Sequence, residues 1–359
     1  MESLAISVTG MGMVNPAGIG AQAVAAAVQA GINMYSDSPI MRASNEPYKM
    51  ACVPEACLPD LKADAPESKQ QINRNALYRR MLKLGKLALS QLTESINTEQ
   101  SIPLFLAVPE QRCGRPFPAL EPVIKDLSSE IDFSLDLVTS RVFPEGRASG
   151  INALSEAMKV LLNTSLDSII VGGIDCFMDV MLLAALDKEG RLAGNDVLGG
   201  FVPGEGAAFL VLQKAPKIDV TVSLPGKGDE PGHMYSEELC LGNGLSGAIS
   251  EALNQADNVL QSGPVNTILC SMNGEPAHVK EWGTALIRNS DSFADGFELH
   301  HPAESYGDLG AATVPTLISL AILGLETGYC QSPLLVWSAS DREQRGAVVI
   351  SLNKECANG

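Results

Sequence analysis

Residues able to do covalent or acid–base chemistry are sparse in this chain, and few fall into a recognisable spacing. The eight cysteines, Cys52, Cys57, Cys113, Cys176, Cys240, Cys270, Cys330 and Cys356, include no CxxC pair, so neither a zinc knuckle nor a dithiol redox centre is expected. The four histidines include the adjacent pair His300 and His301 but no HExxH or other ligand spacing. No metal site and no other cofactor is expected. Scattered thiols in a reducing compartment are ordinarily small buried hydrophobes, and Cys176 and Cys270, both in strand-like runs, read as core. His300 and His301 read as a solvated loop pair. One stretch stands apart: Phe143–Leu154, FPEGRASGINAL, a strand-to-helix junction with Arg147 at the point of the turn. A helix N-terminus favours an anion or a nucleophile that gains from the dipole, and a guanidinium there opposes it. Ser149, two residues on, reads as a packing or capping residue, because no histidine is placed to activate it.

Three other segments share the glycine-rich character of that junction: Ser7–Gly18 (SVTGMGMVNPAG), Asp167–Asp179 (DSIIVGGIDCFMD) and Gly199–Leu212 (GGFVPGEGAAFLVL). Taken together, in this order and at these separations, they resemble the β-ketoacyl synthases of the thiolase superfamily, and the resemblance covers nearly the whole chain. In that family the turn corresponding to FPEGRASGINAL holds a cysteine that accepts an acyl group from a carrier protein or coenzyme A, and two histidines assist decarboxylation and carbanion attack. The resemblance puts Arg147 at the cysteine. The first histidine turn matches Cys270–Pro276 (CSMNGEP), with Asn273 at the histidine and Glu275 just after Gly274. The second matches Tyr306–Thr313 (YGDLGAAT), one residue shorter, with Asp308 at the histidine. The family's glycine-rich gating turn has no clear counterpart; Trp337–Asp341 (WSASD) occupies roughly that place.

All three catalytic positions have thus changed chemical type. A guanidinium and a carboxylate cannot replace a thiolate and an imidazole donor, although an asparagine still donates a hydrogen bond. The expected former-site pocket comprises Arg147, Asn273, Glu275 and Asp308, with no catalytic residue intact. An unpaired buried cation costs several kcal/mol, so Arg147 is expected to pair with Asp308, Glu275 or both; Glu145 is two residues away. A solvated arginine and an anion-binding arginine are the alternatives.

These positions need a scaffold of strands and helices. Short β-branched runs alternate with helical patterns, which indicates α/β architecture. Expected strands are Leu4–Val14, Ile102–Val108, Ser168–Ile174, Ala207–Gln213, Ile218–Leu224, Val265–Met272, Leu334–Ser338 and Ala347–Leu352. Expected helices are Gly20–Ala30, Asn75–Ile96, Ser149–Asn163, Leu245–Leu260, Pro276–Arg288 and Leu309–Thr327. Element order alone also admits two doubly wound domains. The resemblance implies the thiolase fold: two pseudo-repeated βαβ-based halves, 1–216 and 217–359, in a five-layer αβαβα arrangement, with a break near Pro216–Asp219.

Composition narrows the partners. With 25 basic and 42 acidic side chains the net charge is −17, which disfavours nucleic acid and anionic membrane surfaces. No apolar run is expected to reach the 18–20 residues of a membrane span, no signal peptide is read at the N-terminus, and a cytoplasmic protein is expected. The basic run Arg74–Lys86 (RNALYRRMLKLGK) is the local exception, a possible dock for an acidic carrier protein. Two function classes follow. One is a degenerate synthase-like protein acting through association, as partner subunit of an active synthase or as a secretion-associated adaptor. The other is an acyltransferase, or a module that keeps a pocket for acyl-coenzyme A or an acyl carrier protein. The resemblance implies a homodimer, or a heterodimer with a ketosynthase-like subunit, through a sheet edge of the first half, for which Asp167–Met181 is the nominated contact.

Overall fold

The computed structural model describes residues 5–62, 69–96, 100–112, 122–194, 197, 199–215, 220–256 and 263–352. The expected break at Pro216–Asp219, the end of the helix ascribed to Leu245–Leu260, Leu4, Cys113 and Cys356 lie outside the described residues, as do the side chains of Arg74 and Asn75. The apolar runs close into two six-stranded sheets, each drawn from one half of the chain. The first contains β1 (Ala5–Asn15), β2 (Gly18–Ile19), β5 (Leu104–Ala107), β6 (Arg141–Phe143), β7 (Ser168–Cys176) and β8 (Glu205–Ala215), in the order β2-β1-β8-β7-β5-β6. The second contains β9 (Val220–Val222), β10 (Gly226–Asp229), β11 (Val265–Cys270), β12 (Phe293–His300), β13 (Leu334–Ala339) and β14 (Gln344–Leu352), in the order β10-β14-β13-β11-β12, with β9 also on β14. A small hairpin of β3 (Ser36–Met41) and β4 (Pro47–Met50) stands outside both.

The pseudo-repeat is visible in the strand directions. In the first sheet β6, β5 and β7 run parallel, then β8 and β1 join antiparallel. In the second, β12, β11 and β13 run parallel, then β14 and β10 join antiparallel. Three parallel strands in each sheet therefore point their carboxyl ends the same way within that sheet, which is where α/β proteins assemble their sites.

Nine helices are assigned among the described residues: α1 (Ala21–Gln29), α2 (Lys69–Leu89), α3 (Val123–Glu130), α4 (Ser149–Asn163), α5 (Val180–Lys188), α6 (Asn243–Gln255), α7 (Pro276–Arg288), α8 (Ala303–Tyr306) and α9 (Thr313–Thr327). The central core joins α4 and α9 to the inner faces of both sheets, through residues such as Leu154, Met158, Leu317, Ile318, Val171, Leu210, Val336 and Val348. A second cluster packs α2 and α3 on the outer face of the first sheet, and a third packs α6 and α7 on the outer face of the second. The result is the five-layer αβαβα arrangement. A helix sandwiched between sheets has no polar face to spare, and α9 is buried from Thr313 to Leu325. The stretch Gly310–Thr327 is in fact long and apolar enough to cross a membrane, contrary to expectation, but 89% of it is buried in the protein core.

The sheets approach the middle layer closely at glycine. A Cβ added to Gly173 on β7 would lie 2.1 Å from the backbone oxygen of Ala311, and one added to Gly172 would lie 2.0 Å from the Phe209 ring, so the first glycine makes room for β8 and the second for the turn before α9.

Candidate functional site

Each parallel strand ends in a loop that contributes a charged or polar side chain to one buried cluster. From the first sheet, β5 leads to Glu110 and Arg112, β6 to the single 3₁₀ turn Gly146–Ala148 carrying Arg147, and β7 contributes Asp175 near its end. From the second, β11 leads to Asn273 and Glu275, β12 by way of α8 to Asp308, and β13 to Asp341. The 3₁₀ turn Gly310–Ala312 before α9 repeats the one before α4. Arg191, beyond α5, completes the set. Arg147 is 1% exposed, Asp308 2% and Asp341 1%.

Arg147 is fully engaged. Its Nε and one terminal nitrogen donate to Asp308 Oδ2 at 2.7 and 2.5 Å, and the other terminal nitrogen donates to Asp341 Oδ1 at 2.5 Å. Charge-assisted pairs of this geometry are the strong ones. Asp308 also accepts from Asn273 Nδ2 at 2.7 Å and from the backbone N–H of Gly310 at 2.8 Å. Burial opposes ionisation of Asp308, yet Arg147 outweighs it and holds the carboxyl below its usual range. Asp341 is held well below by the same contest, with Arg147, Arg191 and Arg112 on the winning side. Burial likewise disfavours the Arg147 cation, and Asp308 and Asp341 reverse that, raising its pKa well above the ordinary arginine value.

Glu275 reaches the cluster but does not touch Arg147. It takes Arg191 instead, accepting from Nε at 2.8 Å and from a terminal nitrogen at 3.0 Å, and Asn273 Nδ2 bridges it to Asp308. Arg191 also donates to both oxygens of Asp341 at 3.0 Å and to the Tyr235 hydroxyl at 2.7 Å. The counterion of Arg147 is thus Asp308 together with Asp341, a residue of the WSASD segment, and Glu275 is displaced because a second arginine competes for it. Glu145 turns away from Arg147 altogether and lines a surface cleft.

Arg112 carries its charge differently. Asp341, Glu110 and Asp175 stand 3.4, 3.8 and 3.8 Å away, none at hydrogen-bond geometry, and the guanidinium lies 4.6 Å over the Phe177 ring. Glu110 accepts from the backbone N–H groups of Asp341 and Arg342 at 3.1 and 3.2 Å. Burial first, and Asp341 second, push its pKa up to about 7. A Cβ on Gly146, whose φ is +72°, would fall 2.5 Å from Glu110 Oε1, so the turn and this carboxyl are fitted to one another. His278 on α7 lies beside the cluster, its pKa pushed down to about 4 by burial and then by Arg147, which keeps the imidazole neutral near pH 7.

The nucleophile candidates do not join. Ser149 Oγ donates to the Gly146 carbonyl at 2.5 Å and is buried. Cys176 is buried with its thiol on Glu205 Oε2 at 3.1 Å, and burial with Glu205 raises its pKa well above the usual thiol value. Burial pushes Cys270 up to about 12. His300 ends β12 rather than lying in a loop, 3.5 Å from Glu298, and His301 pairs with Glu304 at 2.7 Å. Among the described residues, two groups have potential metal ligands close together, Glu275–His278–Asp341 and Glu230–Cys240–Glu281. Their carboxylates already serve Arg191 and Arg147 in the first group. In the second they serve Arg345 and the N–H groups of Leu241 and Gly244.

Three residues of the basic run on α2 are paired with carboxylates. Arg80 binds the fully buried Glu205 through two nitrogens at 2.6 Å and pairs with Glu55, Lys83 pairs with Glu55, and Lys86 pairs with Glu130. The nominated dimer contact fails as an edge: β7, within Asp167–Met181, is hydrogen-bonded to β5 on one side and β8 on the other. The edges of the first sheet are β6 and β2.

Sequence reasoning missed Glu110, Arg112 and Arg191, and quoted Asp341 without weighing it. The signal for Glu110 and Arg112 was their position just past the carboxyl end of a parallel strand.

No protein-family model matches the chain, and no curated protein matches its sequence. Solved structures do. A chain of the complex of the ketosynthase ApeO with its chain length factor ApeC from Xenorhabdus doucetiae superposes with a TM-score of 0.71 at 14% identity, covering 98% of each chain. A chain of the AntDE:AntF complex, a type II polyketide synthase acyl-carrier protein with its ketosynthase bound to the hexaketide, gives 0.71 at 15% identity, covering 98% of this chain and 100% of that one. A β-ketoacyl synthase from Burkholderia phymatum gives 0.69 at 14% identity over 98% and 100%. The chain has the ketosynthase form of the thiolase fold.

Proposed function

We propose that this chain is a ketosynthase-fold protein that works by protein association and has given up acyl condensation at the fold's usual site. One observation carries the reading: the turn where the resemblance expects a nucleophile holds Arg147, locked between Asp308 and Asp341. A thioester carbonyl needs an electron pair to attack it and donors free to hold the resulting oxyanion. Arg147 offers no electron pair, and its donors are taken by carboxylates. Asn273, at the first histidine position, spends its amide on Asp308 and Glu275.

Support for association comes from the fold's neighbours, which include a ketosynthase with its chain length factor and a ketosynthase with its carrier protein. The reading includes a cytoplasmic protein acting as a dimer, with a second copy or a ketosynthase-like subunit. An adaptor role is the same idea with an unrelated partner.

Incubating the full chain with acyl-coenzyme A and acyl-carrier thioesters, followed by intact mass measurement, is expected to show no acyl adduct. A persistent adduct would overturn the proposal. Saturable acyl-coenzyme A binding without an adduct would shift it toward a ligand-binding module.

A further inference from the structure

An imidazole with an unanswered nitrogen stands beside the Arg147 cluster. His278, in the first turn of α7, is 3% exposed, and its Nδ1 has no hydrogen-bond partner. Buried polar atoms are nearly always paired, so such an orphan points to a group that the chain itself does not supply. One ring nitrogen of His278 lies within 4.8 Å of an oxygen of Glu275 and of an oxygen of Asp341, and those two oxygens lie within 4.8 Å of each other.

Two of these three side chains come from one helix start. Glu275 and His278 stand three apart, a spacing that shares a helix face and that the sequence reading passed over. Glu-x-x-His is also a ligand pair in the carboxylate metal centres of helix bundles. Asp341 arrives from beyond the end of β13. Both carboxylates keep room to coordinate, because each carboxylate oxygen has two lone-pair sites. Among the described residues, Glu275 Oε1 accepts a hydrogen bond from Arg191 Nε alone, and Asp341 Oδ2 from one Arg191 terminal nitrogen alone. Arg191 is then an outer partner that orients the ligating carboxylates. Charge admits a further cation as well, since the carboxylates of the cluster outnumber its guanidiniums among the described residues.

The spacing suits a small ion. A point equidistant from three atoms so placed is at most about 2.8 Å from each, and an inward shift of under about 1 Å brings them to zinc-bond length. An imidazole nitrogen with carboxylate oxygens suits zinc, whereas magnesium and calcium take oxygen ligands.

We propose that Glu275, His278 and Asp341 form a zinc site that ties the start of α7 to the segment after β13. The site does not depend on the association reading, and an acyl adduct would leave it standing.

Zinc titrated into the chelator-treated full chain tests it, with bound metal counted by elemental analysis and stability followed as melting temperature. The wild type is expected to take up zinc and to melt higher with it. His278→Leu is expected to weaken zinc binding at least about a hundredfold, the upper end of what loss of a mere outer-shell partner costs, and to abolish the rise in melting temperature. Without metal, H278L is expected to melt no lower than the wild type, because it removes an unpaired polar atom. Glu275→Gln is expected to weaken zinc binding likewise, and decides the matter if H278L fails to fold. Cys240→Ser, in the other group of close ligands, is expected to bind zinc as the wild type does. A wild type that takes up no zinc, H278L or E275Q variants that fold and bind zinc as tightly as wild type, or uptake lost in C240S would overturn the proposal.

Discussion

Arg147→Met is expected to cost about 3 kcal/mol of folding stability in urea unfolding monitored by circular dichroism, the lower end of what breaking a buried ion pair costs. The figure follows from what remains. Without the guanidinium, Asp341 keeps Arg191 at 3.0 Å, and Asp308 keeps only Asn273 and the Gly310 N–H. One carboxylate therefore loses its cation and the other does not. Adding Asp308→Asn to Arg147→Met removes the stranded charge and should recover part of the loss, because the penalty lies in the unpaired carboxylate and not in the missing contact. A single Arg147→Met variant as stable as wild type would mean that the ion pair is not the fastener it is taken to be. The same surroundings disfavour a reactive thiol at this position. A cysteine placed at position 147 would face Asp308 and Asp341, whose negative charge raises a thiol's pKa and keeps it protonated. Arg147→Cys is therefore expected to stay inert toward acyl thioesters in the intact-mass assay.

A decline in stability as the pH rises toward neutrality is the second large effect expected, and it belongs to Glu110. Its folded pKa, raised to about 7 by burial and by Asp341, lies above the ordinary glutamate value of about 4.3. Between those values the folded state holds a proton that the unfolded chain releases. The contribution is fully present below about pH 4.3 and is lost as the pH rises through about 7, on the order of 4 kcal/mol in total. Asp308 and Asp341 act oppositely: their lowered pKa values contribute stability that is present above the ordinary aspartate value and lost as the pH falls through the folded values. A maximum in mildly acidic solution is expected, read as melting temperature against pH. Glu110→Gln should flatten the limb on the neutral side and leave the acid limb in place. The slope carries this test, because the amide also disturbs one of the two backbone N–H contacts at this site and so shifts the baseline. An unchanged slope would refute the assignment to Glu110.

The legible parts of the fold were those with strong local periodicity. Ser149–Asn163 and Pro276–Arg288 form helices with the bounds expected, since one begins at a tight turn and the other at a proline, both of which act within a few residues. The strands β7, β8, β11 and β13 were readable as continuous apolar runs because both their faces are covered. The pieces that escaped include β10, β12, the β3–β4 hairpin and the helices α3, α5 and α8. The burial pattern of β12 is largely intermediate and exposed, and β10 reads GKGD. Neither shows the apolar pattern of a half-buried strand, and each is a strand because a neighbour supplies its hydrogen bonds. The nominated contact Asp167–Met181 shows the same limit, since strand order in a sheet is not written in any single strand.

Sequence by itself determined the fold and the residue types at the expected site. Glycine spacing at close approaches and the residue types Arg147, Asn273 and Asp308 are local facts, and a guanidinium is no nucleophile wherever it is placed. Only the tertiary structure decided which charge answers which. Asp341 lies 194 residues from Arg147, and Arg191 lies 84 from Glu275. Pairing across such distances is set by the convergence of six parallel strand ends from two sheets, together with the competition of three arginines for the same carboxylates. A Coulomb energy depends on separation and burial, and neither exists until the chain has folded.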